Sequence, residues 1–210
     1  MNIAVVIDEV GTTISPDAGE ASPASKRIVV AYGFWIFLLS DVVMFSALFA
    51  SYAVLVRAAA GGPTSDELFS QVSVAVETAC LLASSYTCGL MSLAVNSRRR
   101  AATYFFAVIT FVLGAAFLNL EIREFAAMIA RGAAPERSAF LSTFFTLVGC
   151  HGLHVTAGLV WLVVMMAQVA VRGFRPNVER RPLCFALFWH TLDIVWVWLF
   201  TVVYLMGVRP

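Results

Sequence analysis

Residues 138–171 read SAFLSTFFTLVGCHGLHVTAGLVWLVVMMAQVAV and contain no Asp, Glu, Lys or Arg. A hydrocarbon core of about 30 Å is crossed by about 20 helical residues, because each adds about 1.5 Å. A helix of a soluble protein rarely stays apolar on every face over such a length. The segment therefore predicts a transmembrane helix in a lipid-embedded protein.

Four further segments have the same character. Residues 101–120 carry no charge, and three others each carry one acidic residue: 28–56 (Asp41), 68–97 (Glu77) and 182–208 (Asp193). Only helices or closed barrels span lipid, and segments this long are not barrel strands. The sequence predicts an all-α integral membrane bundle of five transmembrane helices, at about 28–56, 70–97, 101–123, 139–171 and 182–208.

The composition agrees with this interpretation. Hydrophobic residues make up 60% of the chain and charged residues 13%, whereas a soluble domain carries about a quarter charged residues. The net charge of +1 leaves no basic patch for nucleic acid. Residues 1–25 are polar and acidic, which predicts a disordered cytoplasmic tail before a membrane domain at 26–210.

The basic residues indicate the orientation. With the N-terminus inside, the inner loops hold nine of them: Lys26, Arg27, Arg98, Arg99, Arg100, Arg172, Arg175, Arg180 and Arg181. The outer side holds five: Arg57, Arg123, Arg131, Arg137 and Arg209. Positive charge near short loops favours the cytoplasm. We therefore expect a cytoplasmic N-terminus and an outward C-terminus.

The four cysteines do not indicate a disulfide framework or a zinc site. They form no C-x-x-C pair and lie within or beside apolar segments, where Cys behaves as a small hydrophobic residue: Cys80, Cys88, Cys150 and Cys184.

The ionisable residues inside the membrane are the candidate functional residues. They are Asp41, Glu77, Glu121, His151, His154, His190 and Asp193, with Glu121 near a helix end. Counting from the helix ends places Asp41, His190 and Asp193 in the inner half, and Glu77, His151 and His154 in the outer half. We predict that Glu77 pairs with His151 or His154, directly or through water. Such residues serve as packing and lipid contacts or as a proton path, and we favour packing.

A membrane cytochrome and a small transporter are the alternatives from other classes. His151 and His154 lie on one helix face and would need His190 opposite them to hold a haem. His190 lies roughly 13 to 18 Å away along the membrane normal by residue count. A transporter that used Glu77 and Asp41 as proton carriers would need broken helices, yet the prolines lie outside the predicted helix interiors. No Glu-x-x-His pairs indicate a di-iron site.

Three motifs in order resemble subunit III of the haem–copper oxidases. They are HGLHV within residues 140–161, WHTLDIVW within 188–207 and ETACLLASS at 77–85, and residues 33–56 fit the helix of that family with an intramembrane acid. The resemblance covers about residues 26–208. Within that family, the predicted number of five helices and the segment YAVLVRAAAGGPT (residues 52–64) most resemble the cytochrome bo-type ubiquinol oxidase branch.

The resemblance implies a subunit of a bacterial inner-membrane complex that oxidises ubiquinol, reduces oxygen to water and pumps protons. It implies subunits I, II and IV as partners, haems and copper in subunit I, no redox centre in this chain, and bound phospholipid. Glu77 would match the buried carboxylate of the family. A nitric oxide reductase or a cytochrome c oxidase remains the alternative complex.

Overall fold

The computed structural model describes residues 26–56, 71–172 and 181–205. The helices are α1 (Lys26–Leu55), α2 (Gln71–Asn96), α3 (Arg100–Ala130), α4 (Ala139–Arg172) and α5 (Arg181–Leu199). A 3₁₀ turn, Pro135–Arg137, precedes α4, and a π-helical segment, Phe200–Leu205, continues α5. The predicted tail at 1–25 and the end of the last helix at 206–208 lie outside the described residues.

Five helices of the described residues are long and apolar enough to cross a membrane. This confirms the prediction of an all-α membrane bundle. Half of the apolar window of α5 is buried, against 11% of the window of α1. The last helix is therefore central in the bundle, and the first lies at its edge against α4 and α5.

The third helix is longer than the sequence analysis predicted. We placed its end at residue 123, where Glu121, Arg123 and Glu124 follow an apolar run, but α3 continues to Ala130. It ends in a Schellman motif, with Gly132 at φ 77° donating to the carbonyl of Ile129 and Ala133 N donating to the carbonyl of Met128. Buried charged residues were thus mistaken for the edge of the membrane.

Helices α2 and α3 are joined by a very tight turn. Ser97 N donates to the carbonyl of Leu93, and Arg98, at φ 52°, donates to that of Val95. Since only Ser97–Arg99 separates the two helices, they must pack side by side as an antiparallel pair. Thr87 and Thr110 form a hydroxyl–hydroxyl hydrogen bond of 2.8 Å between them.

Candidate functional site: the polar residues inside the bundle

Three polar contacts connect α5 with α2. The indole nitrogen of Trp196 donates to Thr78 Oγ1 at 3.1 Å, and that of Trp189 donates to Ser84 Oγ at 3.0 Å. At the next residue of each helix, Ser85 Oγ and His190 Nδ1 are 2.6 Å apart. Residue numbers rise on α2 as they fall on α5, so the helices are antiparallel. Trp189 and Trp196 therefore lie on the face of α5 that packs against α2.

Trp189 is the centre of the helix packing. Its indole lies between two glycines of different helices. A Cβ at Gly114 of α3 would be 3.1 Å from Cη2 of Trp189, and a Cβ at Gly158 of α4 would be 2.8 Å from Cζ3. One side chain of α5 thereby contacts α2, α3 and α4. Gly158 thus allows close approach of α4 to α5, whereas Gly149 has only an ordinary contact of 3.8 Å, with Phe125.

Three carboxyl groups from two helices form a buried cluster, which we call the carboxyl cluster: Glu77 of α2 with Glu121 and Glu124 of α3. Glu77 is 1% exposed and Glu121 3%. Their four carboxyl oxygens, and Oε1 of Glu124, have no hydrogen-bond partner among the described residues. Glu121 interacts electrostatically with both other members, and Glu77 interacts with Glu124. Three ionised carboxylates would repel one another strongly in a medium of low dielectric constant.

The backbone of α4 and a side chain from the end of α5 lie against the carboxyl cluster. A Cβ on Gly152 would be 3.0 Å from Oε1 of Glu121, so α4 passes close to that carboxyl group. The buried Tyr204, from the π-helical segment, interacts electrostatically with all three glutamates. These carboxyl groups are therefore held away from lipid on the inside of the bundle, as the cost of an ionisable group in hydrocarbon requires.

The predicted direct pairing of Glu77 with a histidine is wrong. Both ring nitrogens of His151 are buried without a partner among the described residues, and its ring packs against Phe117 and Trp196 at centroid distances of 5.9 and 5.2 Å. His154 Nδ1 lies 2.7 Å from the carbonyl oxygen of Cys150 on its own helix. A water-mediated link between Glu77 and a histidine remains a prediction.

Asp41 interacts with a residue that its estimated depth in the membrane did not predict. We placed Asp41 and His154 in opposite halves of the membrane, yet the two interact electrostatically, and Asp41 also interacts with Cys150. The ring of Phe45, one turn above Asp41, lies 5.2 Å from that of His154. Counting from the helix ends was in error because α4 is long and its end is not a reliable marker of the membrane surface.

The three histidines have different polar contacts, although the rings of His151 and His154 both pack against Phe45. His190 bonds to α2, His154 to its own backbone, and His151 is enclosed by aromatic rings. Among the described residues, no group of three or more His, Cys, Asp or Glu side chains could hold a metal ion. The four cysteines are free. The broken midplane helix of a transporter is also not seen: α1 to α4 are continuous where described, and α5 changes to π-helix only after Leu199.

Sequence reasoning missed several members of these contacts. Glu124 was placed outside the membrane because the end of α3 was set seven residues before Ala130. Two features of the sequence could have indicated a longer α3. Glu121 and Glu124 are three residues apart and so share one helix face, and Gly132 is a typical residue at which a helix ends. Nothing in the sequence marked Ser85 as the partner of His190, since serines are common in membrane helices.

The fold and these contacts define a polytopic helical membrane protein in which buried polar residues join the helices of the bundle. The chain matches the family described as Cytochrome c oxidase subunit III over residues 18–208. It belongs to this family.

Curated relatives include two from Pseudomonas. The chain is 53% identical to the "Cytochrome bo(3) ubiquinol oxidase subunit 3" of Pseudomonas aeruginosa over 176 residues, 84% of each chain. It is 49% identical to the protein of the same name from Pseudomonas putida, over 84% of this chain and 85% of the relative. The "Quinol oxidase subunit 3" of Bacillus subtilis is 45% identical, over 83% and 86%.

Proposed function

We propose that this chain is the third subunit of a bacterial cytochrome bo-type ubiquinol oxidase. The observation that carries the proposal is the 53% identity with a protein of that name, which extends over 84% of both chains. The complex oxidises ubiquinol and reduces oxygen to water. The chain contributes a membrane-embedded bundle, and the haems and copper of the complex belong to subunit I.

Its role within the complex is structural. The polar residues of the described helices bond mainly within the bundle, as the ties between α2 and α5 illustrate. We place subunits I, II and IV beside this chain, with its N-terminus cytoplasmic and its C-terminus periplasmic. Phospholipid would bind along the exposed side of α1, whose apolar window is only 11% buried.

The first experiment is purification of the tagged chain from native membranes in mild detergent. Recovery of a large haem–copper subunit and a membrane-anchored second subunit, with ubiquinol-driven oxygen consumption, is the expected result. Oxygen consumption driven by cytochrome c but not by ubiquinol would show that the complex is a cytochrome c oxidase. Recovery of nitric oxide reductase subunits would show that the complex catalyses a different reaction. Recovery of the chain alone would contradict the proposal.

Two further measurements test the orientation, on intact spheroplasts, and the bound lipid, on the purified complex. A cysteine-reactive, membrane-impermeant label on spheroplasts should modify a cysteine placed at residue 210 but not one placed at residue 2. Native mass spectrometry should show phospholipid retained by the complex. Labelling of residue 2 alone would show the opposite orientation in the membrane, and the proposed identity of the subunit would still stand.

A further inference from the structure

The carboxyl cluster differs from most polar groups of the described helices. Hydroxyl groups on these helices commonly bond within their own helix, as Thr156 Oγ1 does when it donates to the carbonyl of Gly152 at 2.8 Å. The carboxyl oxygens of Glu77 and Glu121 have no partner among the described residues, although the two side chains are buried. Buried polar groups are almost always hydrogen-bonded, either to protein or to ordered water. The cluster therefore needs partners that the described helices do not supply.

A residue outside the cluster has the same need at the same place. Tyr52 of α1 is 1% exposed, and its hydroxyl group has no partner among the described residues. Tyr52 interacts electrostatically with Tyr204, which in turn interacts with all three glutamates. A phenolic hydroxyl can both donate and accept a hydrogen bond. One site between α1, α2, α3 and the end of α5 thus collects a hydroxyl group and five carboxyl oxygens without partners.

The geometry restricts the kind of ligand that this site can take. The glutamates interact electrostatically but are not hydrogen-bonded to one another, which is the arrangement that a bridging water completes. Among the described residues, these three glutamates included, no group of His, Cys, Asp and Glu side chains could hold a metal ion. A Cβ on Gly152 would already be 3.0 Å from Oε1 of Glu121, so the backbone of α4 leaves no room for a large ligand on that side.

We propose that the carboxyl cluster, together with the hydroxyl group of Tyr52, binds a small group of ordered water molecules that exchange with the aqueous phase near Glu124. The inference goes beyond the proposed function and does not depend on which oxidase contains the chain. A buried water makes about three hydrogen bonds to polar groups that are otherwise unpaired, so these oxygen atoms suffice for about two waters. Water both donates and accepts, and it therefore serves protonated and ionised carboxyl groups alike.

Glu124 connects the cluster with the surface of the bundle. Its Oε1 is buried, yet the residue as a whole is partly exposed, unlike Glu77 and Glu121. The preceding residue, Arg123, is exposed, and an arginine near a helix end extends its guanidinium group to the membrane–water interface. Water therefore has a short route to the cluster past Glu124, at the end of α3 that leads into the turn before α4.

The direct test is a density map of the native complex that contains this chain, at a resolution that shows ordered water. Density for water within hydrogen-bond distance of Glu121 and Tyr52 is the expected result. A cluster without water, in which the carboxyl groups bond directly to one another, would overturn the inference. A cation coordinated by the three glutamates would overturn it as well.

Hydrogen–deuterium exchange in the same complex tests the route past Glu124. The infrared band of the protonated carboxyl group of Glu121 should shift soon after transfer to heavy water. Glu124→Leu should slow this shift by about tenfold, or about 1.4 kcal/mol in barrier terms, because an apolar side chain closes the route. Glu136→Leu is the matched control, since Glu136 is exposed in the turn before α4. Equal rates for the two variants, or a band that does not exchange in the wild type, would contradict the proposal.

Tyr52→Phe provides a measurement that does not depend on the carboxyl groups. If the hydroxyl group of Tyr52 were unpaired, its removal would be neutral or stabilising, because an unpaired buried polar group carries a desolvation penalty. If it holds water, the variant should lower the temperature at which the chain is released from the complex. Tyr86→Phe is the control, since Tyr86 is 70% exposed, and it should cause no loss. An unchanged or higher release temperature for Tyr52→Phe would count against the water site.

Discussion

Trp189 and Gly158 are in such close contact that a Cβ on residue 158 would be 2.8 Å from Cζ3 of the indole ring. The two residues belong to α5 and α4, and the contact exists because residue 158 has no side chain. The same indole donates a hydrogen bond to Ser84 on α2. The packing of three helices therefore depends on the position of one ring.

Gly158→Ala should destabilise the bundle. The added methyl group would force the indole or α4 to move, and overpacking of this kind costs about 1 to 3 kcal/mol. Thermal release of this chain from the purified complex measures the effect. Gly89→Ala is the control, since nothing lies within 4 Å of a Cβ there. Equal melting temperatures for the two variants would show that α4 and α5 are not closely packed at Gly158.

Trp189→Phe and Ser84→Ala should be coupled. The indole–hydroxyl bond of 3.0 Å is lost in either variant, so the double variant should lose less than the sum. Interhelical hydrogen bonds in membranes contribute about 0.6 kcal/mol on average, which is the expected coupling in a denaturing-detergent titration. Trp198→Phe with Ser84→Ala serves as the uncoupled pair, because Trp198 is 62% exposed. Additive effects of the first pair would contradict the bond.

Glu77→Gln should leave oxygen turnover of the intact complex near wild type. The side chain is 1% exposed and lies within the carboxyl cluster, where a neutral group of the same shape preserves the packing. Steady-state oxygen consumption with ubiquinol is the measurement. A loss greater than about tenfold, or 1.4 kcal/mol in barrier terms, would instead assign Glu77 a role in proton transfer.

Glu121→Gln should remove part of the infrared carbonyl band of protonated carboxylic acids. Glu121 is 3% exposed and adjoins two other carboxyl groups, so ionising all three would bury uncompensated charge. Glu136→Gln is the control, because Glu136 lies exposed in the turn before α4. An unchanged band in Glu121→Gln at neutral pH would mean that the cluster is ionised and needs a cation.

His151→Leu should be neutral or stabilising. Neither ring nitrogen has a partner among the described residues, and the ring packs against Phe117 and Trp196. Replacing an unpaired buried polar group by an apolar one of similar size removes a desolvation penalty. Thermal release from the complex is again the measurement. A clear loss of stability would indicate that His151 has a hydrogen-bond partner, such as the water link to Glu77.

The helices and the candidate residues could be predicted to different extents. All five spans were found, because a long uncharged run is a direct physical requirement of lipid. The end of α3 was misplaced, because Glu121 and Glu124 resemble a membrane boundary in sequence, whereas Glu121 and Oε1 of Glu124 are in fact buried. The neighbours of Gly152 and Gly158 could not be predicted, since a glycine does not indicate what packs against it.

The sequence by itself determined that the chain lies in lipid, crosses it five times and belongs with the third subunits of oxidases. Hydrophobic length and short motifs are local properties, and lipid allows few backbone structures. Only the tertiary structure decided that Glu77 joins Glu121 and Glu124, that Asp41 lies near His154, and that Ser85 holds His190. Residue counting estimates depth along one helix, whereas contact also depends on the rotation of each helix about its axis and on its neighbours.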